Sequence, residues 1–314
     1  MIRTVYFYRK DNRFTGGHLK VWDYFNHTPK KPGFMPYLYL ANCAEDLNNT
    51  LWTNLNQNLL QKWNPYDADV LFLAGMDWYS LPEPDRKNWS KPVINLIQSV
   101  RHALPETPLY DCLSNYAIRI CVSPEVANSI LATGKVNGPV FIIPNGIDYS
   151  FIKKIGQFAT KDVDLLIAGL KNPIMANALK IRLGDLPISI QSLTVLIPRT
   201  DFLRFMANSK IVVFLPTTTE GFYLPAIEGM AVGAFVICPD CIGNRSFCFD
   251  LHNCRMPVYT AENIFATIVD TLKMNDFEFK KIKENANKTA INHSIDQEQT
   301  AYHSILQQLD SLWN

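Results

Sequence analysis

The stretch from residue 214 to residue 240 constrains the fold more than any other part of the chain. An apolar, β-branched run at 211–215 has the length of a buried strand. After a polar turn, Pro225 suits the first turn of a helix, where its missing N–H costs nothing. Gly233 is a typical C-terminal stop for that helix, and a second apolar run follows at 234–238. Strand, loop, helix and strand in this order predict a parallel βαβ unit.

Two acids bracket the turn of this unit, Glu220 on the loop before the helix and Glu228 about one turn inside it. A helix start at the carboxyl end of a parallel strand binds anions through its N–H groups and its positive dipole end. We expect the N–H groups of Phe222, Tyr223 and Leu224 to be free for this purpose. Carboxylates beside an anion site would accept hydrogen bonds from hydroxyls. A ligand with both an anion and neighbouring hydroxyls is a nucleoside diphosphate sugar, whose phosphates would bind the N–H groups and whose ribose and sugar hydroxyls would bind the acids. The alternative is a surface glutamate and a capping glutamate in an ordinary αβ unit.

The same turn contains the segment EGFYLPAIE followed by GMAVGAFVI. This segment resembles the E-x7-E region of retaining glycosyltransferases with the GT-B architecture. The resemblance implies that Glu228 binds the ribose hydroxyls of the donor, and that Glu220 lies by the donor sugar as a catalytic residue. The donor-binding residues implied for this segment are Gly221, Phe222, Tyr223, Leu224 and Glu228.

The length of 314 residues predicts two domains of about 150 residues each. Short apolar runs alternating with helical spacers indicate an α/β fold with parallel sheets. The predicted strands are 4–8, 35–41, 69–74, 93–98, 118–122, 140–143, 164–168, 195–197, 211–215 and 234–238. The resemblance implies a GT-B fold, with two Rossmann-like parallel-sheet domains facing across a cleft. Its expected parts are an acceptor-side domain at 1–150, a nucleotide-sugar-binding domain at 151–290 and a final helix at 291–314 that crosses back to the first domain.

The domain boundary is predicted from the segment IPNGID at 143–148. Asn-Gly is a strong turn signal, and the segment also resembles the one that closes the first domain of GT-B transferases. We place the boundary at 150–161. Other expectations are helices at 47–63 and 201–208, a polar linker at 285–289, and a capping box of Ser294 and Gln297 that starts the last helix.

Candidate residues in the first domain follow two predicted strands. Gly16 and Gly17 open a helix after the first strand, where a ligand can approach the backbone closely. No G-x-G-x-x-G is present, which counts against NAD binding. The resemblance places Gly17 near the donor phosphate or the acceptor. It also makes His102 a catalytic candidate and Arg101 a donor-binding one, since both follow a strand's carboxyl end; the alternative is a polar loop.

The charge that balances the diphosphate is less well defined. GT-B relatives usually carry Gly-Arg after the first strand of the second domain, with a Lys a few residues on, but this chain has Leu170 at the Arg position. Lys171 is expected to supply the charge, as both a catalytic and a donor-binding residue. Lys180 and Arg199 are the other candidates, and Arg199 is also placed among the donor-binding residues.

No metal and no cofactor besides the nucleotide sugar co-substrate is expected. Cys238, Cys241, Cys248 and Cys254 could form a four-thiolate zinc site, but their spacing is not that of a familiar zinc knuckle. D-x-D triplets at 67–69 and 162–164 precede their strands, which directs the carboxylates to the wrong sheet edge for a metal-bound donor.

Charge and composition indicate which classes of binding partner to expect. Basic and acidic residues are balanced, 30 against 29, so no nucleic acid partner is expected. The first 31 residues carry a net charge of +5 among aromatic residues, which indicates a strand followed by a solvated loop or, alternatively, a phosphate-facing or membrane-surface patch. No apolar run has the length of a leader or a membrane span, and the seven cysteines are expected to be reduced. A cytoplasmic location is expected, with peripheral contact at the inner membrane face as an alternative.

The expected reaction is transfer of a sugar from a nucleoside diphosphate sugar to a hydroxyl of a carbohydrate or lipid-linked acceptor, with retention of configuration. Synthesis of a glycan or surface polysaccharide is the expected setting. Leu170 leaves open a catalytically silent subunit that binds nucleotide sugars. A related GT-B reaction, epimerisation or phosphorolysis, is the other alternative.

Overall fold

The computed structural model of the chain describes residues 2–10, 15–28, 33–41 and 58–313. The strands in these residues are β1 (Arg3–Arg9), β2 (Phe34–Leu40), β3 (Val70–Ala74), β4 (Val93–Ile97), β5 (Ile118–Cys121), β6 (Val140–Ile142), β7 (Val163–Ala168), β8 (Ile190–Leu193), β9 (Ser209–Phe214) and β10 (Phe235–Ile237). The α-helices are α1 (Gly16–His27), α2 (Glu83–Arg86), α3 (Pro108–Asp111), α4 (Pro124–Leu131), α5 (Tyr149–Gln157), α6 (Pro173–Arg182), α7 (Arg199–Ala207), α8 (Leu224–Ala231), α9 (Ala261–Leu272), α10 (Asp276–Ile291), α11 (Ile295–Gln307) and α12 (Leu309–Trp313). Short 3-10 helices occur at Pro65–Asp67, Gly75–Ser80, Val100–Ala103, Cys112–Ser114 and Ile242–Asn244.

The chain divides into two compact units. The first is Met1–Asn145 with Asp296–Asn314, and the second is Gly146–Ile295. Each unit has a sheet whose strand pairs are all parallel, in the orders β2-β1-β3-β4-β5-β6 and β10-β9-β7-β8. The predicted α/β class with two parallel sheets is confirmed.

The core of the first unit lies on its central strands. Every residue of β3 and β4 is buried, as expected for parallel strands covered on both faces. The rings of Phe7 on β1 and Phe72 on β3 stack with centroids 4.6 Å apart. Tyr302 of α11 packs edge-on against Phe72 and against Tyr24 of α1. The final helices therefore complete the core of the first unit.

A cluster of buried charges also joins α11 to α1. Lys20 Nζ lies 2.7 Å from Asp23 Oδ2 and 2.6 Å from Glu298 Oε2. Glu298 Oε1 contacts His27 Nε2 at 3.1 Å. Charges are costly to bury unless they are paired, so any other position of α11 on α1 would leave buried charges unpaired.

The first and the last residues of the second unit run side by side. The N–H of Ile147 donates to the carbonyl of His293 at 2.8 Å, and the N–H of Ile295 donates to the carbonyl of Ile147 at 2.9 Å. A Cβ on Gly146 would lie 2.7 Å from Cα of Ile295, so only glycine allows this approach. The Asn-Gly pair of the IPNGID segment therefore serves a close crossing of two backbones.

Two predicted elements in the second unit are wrong. The strand predicted at 195–197 is irregular, and Val195 and Leu196 are 66% and 80% exposed. The strand is instead β8, whose Ile190 pairs with Leu165 of β7, because pairing with the neighbouring strand overrides local hydrophobicity. The polar linker predicted at 285–289 lies inside α10. Helical spacing places Ala286 and Ala290 on the buried face of α10. The polar composition of the segment does not reveal this periodicity.

The helix predicted at 47–63 lies largely outside the described residues. Within its described part, residues 58–63 are not helical. Leu59 forms a parallel bridge with Leu38, and the N–H of Leu38 donates to the carbonyl of Asn58 at 2.8 Å. The segment therefore runs along the edge of β2, where backbone pairing replaces the helix suggested by its spacing.

Candidate functional site

The carboxyl edge of the second sheet gathers most of the predicted site residues. In the order β10-β9-β7-β8, the chain continues from β7 to β8 at one end of the sheet, and from β9 to β10 at the other end. The loops after β7 and β9 therefore diverge between two neighbouring strands. Such a switch point forms a crevice that binds ligands in open α/β sheets.

Lys171 and Glu220 meet across this switch point. Lys171 Nζ, on the loop after β7, lies 3.5 Å from Glu220 Oε1, on the loop after β9. Thr217 Oγ1 also donates to Glu220 Oε1 at 2.7 Å. The Lys171 side chain is 55% exposed, so the ion pair is worth at most about 1 kcal/mol and Lys171 can exchange it for an anionic ligand.

The start of α8 offers fewer free donors than the sequence suggested. The N–H of Tyr223 donates to the carbonyl of Gly243 at 2.8 Å, and the N–H of Leu224 donates to the carbonyl of Phe222 at 3.1 Å. The expectation that these two N–H groups are free is therefore wrong. One donates within the loop before α8, and the other donates to the turn after β10. Within the described part of the chain, the N–H groups of Gly221 and Phe222 have no acceptor and are the available donors.

Gly243 holds the loop that carries Glu220. A Cβ at Gly243 would lie 2.9 Å from both Cβ and the carbonyl oxygen of Glu220. The neighbouring Ile242 donates its N–H to the carbonyl of Thr218 at 3.1 Å. The turn after β10 thus fixes the position of the first acid, and it can do so only with a glycine at this contact.

The second acid, Glu228, is paired with Arg199. Arg199 Nε, at the start of α7, donates to Glu228 Oε1 at 2.9 Å, and Nη2 contacts the same oxygen. The Glu228 side chain is 5% exposed and that of Arg199 is 23% exposed. Arg199 thus contacts the predicted ribose-binding acid. Lys180 is exposed and lies seven residues beyond Pro173, about 10 Å along α6 from the carboxyl edge, and does not join this group.

Tyr259 and Asn172 are site neighbours that the sequence did not indicate. The Tyr259 phenol donates to the carbonyl of Pro216, directly after β9, at 2.5 Å. Burial raises the pKa of this phenol, so it stays protonated and keeps its donor role. Asn172 Oδ1 accepts the N–H of Met175 and caps α6. An Asn directly before a Pro is a helix-start signal that could have identified Asn172, whereas Tyr259 stands in an irregular segment with no local signal.

The first unit brings Gly17 and the loop after β4 together. Gln98 Nε2 donates to the carbonyl of Gly17 at 3.2 Å. A Cβ on Gly17 would meet the Gln98 side chain at an ordinary distance of 3.5 Å, so the fold itself does not require glycine there. Arg101 is exposed and its Nε contacts Ser99 Oγ at 3.3 Å.

His102 is held in one protonation state. Its Nδ1 lies 2.9 Å from the carbonyl oxygen of Ser99, which can only accept, so Nδ1 carries the proton. Burial lowers the pKa of His102 to about 4, and the imidazole is neutral at pH 7. Nε2 is therefore a buried hydrogen-bond acceptor, and no described residue donates to it.

The described residues contain no group of three or more His, Cys, Asp or Glu side chains that could hold a metal ion. Cys238, Cys241, Cys248 and Cys254 are buried, and Cys238 Sγ accepts from Asn244 Nδ2 at 3.2 Å. Burial raises the pKa of the Cys238 thiol well above its usual range. This environment suits small apolar thiols in a core. Across the described residues, no helix is both long and apolar enough for a bilayer crossing.

Several solved structures match the chain over its whole length. Sucrose-phosphate synthase from Thermosynechococcus elongatus gives a TM-score of 0.74 at 11% identity, covering 98% of this chain and 99% of that chain. Anabaena HepE in complex with UDP and glucose gives 0.72 at 14% identity, covering 98% and 100%. A glycosyltransferase from Rickettsia africae gives 0.69 at 14% identity, covering 98% of both chains. No protein-family model and no curated protein matches. These neighbours are GT-B glycosyltransferases, and the chain has the GT-B fold.

Proposed function

We propose that the chain is a retaining glycosyltransferase that moves a sugar from a nucleoside diphosphate sugar to a hydroxyl acceptor. The observation that carries this proposal is the pairing of Glu220 with Lys171, and of Glu228 with Arg199, on loops and helices that follow strands of the second sheet. The similar HepE structures are complexes with UDP and with UDP-glucose, which makes UDP-glucose the first donor to test.

In this proposal the second unit binds the donor through its nucleotide. Glu228 accepts hydrogen bonds from the ribose hydroxyls, since a buried carboxylate can accept but not donate. The diphosphate accepts hydrogen bonds from the N–H groups of Gly221 and Phe222 and from the ammonium of Lys171. Tyr223 and Leu224 contribute packing at the helix start rather than donors, because their N–H groups are engaged within the fold.

Catalysis then depends on stabilising the departing diphosphate. Positive charge develops on the sugar ring as the leaving group acquires negative charge, and fixed donors aimed at that charge lower the barrier. Lys171 supplies the mobile cation, and Glu220 holds the donor sugar. The leaving phosphate oxygen accepts the proton of the acceptor hydroxyl as the new bond forms on the same face, which retains the configuration.

From the first unit, we propose that His102 Nε2 accepts a hydrogen bond from a substrate hydroxyl. A neutral imidazole with a buried free lone pair is suited to this role. Gly17 and Arg101 are proposed as further donor contacts. His102→Ala is expected to lower kcat for transfer about tenfold or more, with His102→Gln recovering part of the rate through its amide oxygen.

The ribose assignment is tested with UDP and 2′,3′-dideoxy-UDP. The unaltered protein should bind UDP roughly 10- to 100-fold more tightly by calorimetry, the effect of hydrogen bonds to a buried carboxylate. Glu228→Ala should abolish this difference, whereas the exposed control Glu262→Ala should keep it. Equal binding of both nucleotides by the unaltered protein contradicts the assignment.

The transfer step is tested separately by following UDP release from UDP-glucose. Glu220→Ala and Lys171→Ala are expected to lower kcat more than they raise KM, because both residues act on the reacting sugar and its leaving group. Full activity of both variants overturns the assignment of these two residues.

The pairing itself also favours a second candidate function. Both candidate cations face the two acids, so the four side chains carry no net charge to balance a diphosphate. A subunit that binds nucleotide sugars without turning them over fits this balance and the presence of Leu170. Tight binding of UDP-glucose, with no release of UDP in the presence or absence of acceptors, distinguishes it from a transferase.

A further inference from the structure

A basic groove lies on the second unit at the amino edge of its sheet, the edge opposite to the candidate functional site. Phe279 of α10 lines the groove and stacks on Phe235, the first residue of β10, with ring centroids 4.6 Å apart. Gly233, which follows α8, also lines it. The volume of about 530 Å³ lies within the range of small-molecule sites.

The charge of this groove is unbalanced. Lys280, Lys283 and Lys288 line it, with Glu284 as the only acid among the lining residues. Lys280 contacts Glu284 loosely, at 3.9 Å. Within the described residues, neither Lys283 nor Lys288 has a carboxylate within 4 Å. Two ammonium groups therefore face the groove without a counter-charge.

A further cation stands close to Lys283. Lys161, which precedes β7, donates from Nζ to the carbonyl of Ser209 at 3.0 Å. Burial and the neighbouring charge of Lys283 lower the pKa of Lys161 to about 8, and burial lowers the pKa of Lys283. The backbone of Lys161 has φ of 57°, which is strained for a residue with a side chain. The ammonium of Lys161 thus adds positive charge beside Lys283, and an anion bound at Lys283 would offset the repulsion between the two.

The C-terminal end of α8, beside the groove, is too weakly negative to neutralise the lysines. The C-terminus of α8 carries the equivalent of about half a negative charge. The lining residues alone carry a net charge of +2, from three lysines and one glutamate. Asn287 also lines the groove, and because its Oδ1 accepts from the Tyr149 phenol at 2.6 Å, its side chain has its NH2 group left to donate.

We propose that this groove is a second binding site, separate from the candidate donor site, which takes a phosphate-bearing ligand. Lys283 and Lys288 hold the phosphate, Asn287 adds a neutral donor, and Phe279 provides an apolar wall for the organic part of the ligand. Phosphate suits the site because several oxygens can accept from ammonium groups at different angles. Its source is a soluble phosphate compound or a phospholipid headgroup.

Lysine acetylation footprinting tests the site residue by residue on the unaltered protein. With inorganic pyrophosphate at ten times its Kd, acetylation of Lys283 and Lys288 should slow about tenfold. Lys281 lies on the same helix but outside the groove, and should react at an unchanged rate. Vesicles of phosphatidylcholine with phosphatidylglycerol, compared with phosphatidylcholine alone, form the second arm.

Each outcome decides the proposal. Selective protection by pyrophosphate supports a soluble ligand, and selective protection by the anionic vesicles alone supports a headgroup. Repeating the footprint should then show that Lys283→Gln raises roughly tenfold the probe concentration needed to protect Lys288, while Lys281→Gln and the donor-site variant Lys171→Gln leave it unchanged. No protection with either probe, or equal protection of Lys281, overturns the proposal.

Discussion

Replacement of Glu298 by glutamine tests how the buried charge cluster holds α11 on the first unit. The side chains of Lys20 and Glu298 are both 0% exposed, and their charged atoms lie 2.6 Å apart. Breaking a buried ion pair from one side costs about 3–5 kcal/mol, because the remaining charge stays buried. Asp23 still compensates Lys20 in the variant, so we expect the lower end, about 3 kcal/mol.

Thermal unfolding near pH 7 measures this loss. For a unit of this size, a loss of about 3 kcal/mol lowers Tm by roughly 6–12 °C. Although burial alone would raise it, Lys20 and His27 hold the pKa of Glu298 below its usual value. The stabilisation is therefore complete at neutral pH and is lost as the pH falls through the folded-state pKa.

The matched control is Asp310→Asn. Asp310 Oδ1 of α12 lies 2.7 Å from Arg3 Nη1 of β1, so this ion pair also attaches a C-terminal helix to the first unit, but the Asp310 side chain is 77% exposed. An exposed pair contributes at most about 1 kcal/mol. If both variants shift Tm equally, or if amide exchange of α11 is unchanged in Glu298→Gln, burial does not decide the strength of this attachment.

Three further predictions concern the candidate site. Gly243→Ala places a Cβ 2.9 Å from Glu220, so nucleotide affinity measured by calorimetry should fall at least about tenfold while the circular dichroism spectrum is retained. Because burial lowers the pKa of His102 to about 4 from 6.5, stability in urea unfolding should decrease as the pH falls from about 6.5 toward 4, and His102→Asn should remove this part of the dependence. Arg199→Ala leaves Glu228, with a 5% exposed side chain, without its guanidinium, and should lower Tm by several degrees.

Much of the fold was visible in the sequence because buried parallel strands are locally distinctive. The run that became β3 is wholly apolar, that of β4 is apolar apart from Asn95, and β9 contains the apolar run at 211–214. The helix of the central βαβ unit was equally visible, since Pro225 and Gly233 fit its start and its end. Gly233 has φ of 75°, the left-handed conformation that favours glycine after a helix.

The two wrong elements show where local pattern fails. The run at 195–197 is more apolar than β8, which contains Gln191 and Ser192, yet β8 is the segment that pairs with β7. An edge strand needs backbone partners more than apolar side chains, so its position is set by the neighbouring strand. In α10, the polar residues 285 and 287–289 lie around a helix whose buried face is Ile282, Ala286 and Ala290.

For the candidate site, the sequence by itself determined which residue types stand after which strands. Glu220, Lys171 and Arg199 each follow a strand end, and parallel strands bring their carboxyl ends to one edge. Only the tertiary structure decided that Arg199 pairs with Glu228, that Lys171 pairs with Glu220, and that Gly243 uses a donor of the α8 start. These contacts join loops far apart in the chain, and their partners depend on loop conformation and strand order, which no local pattern encodes.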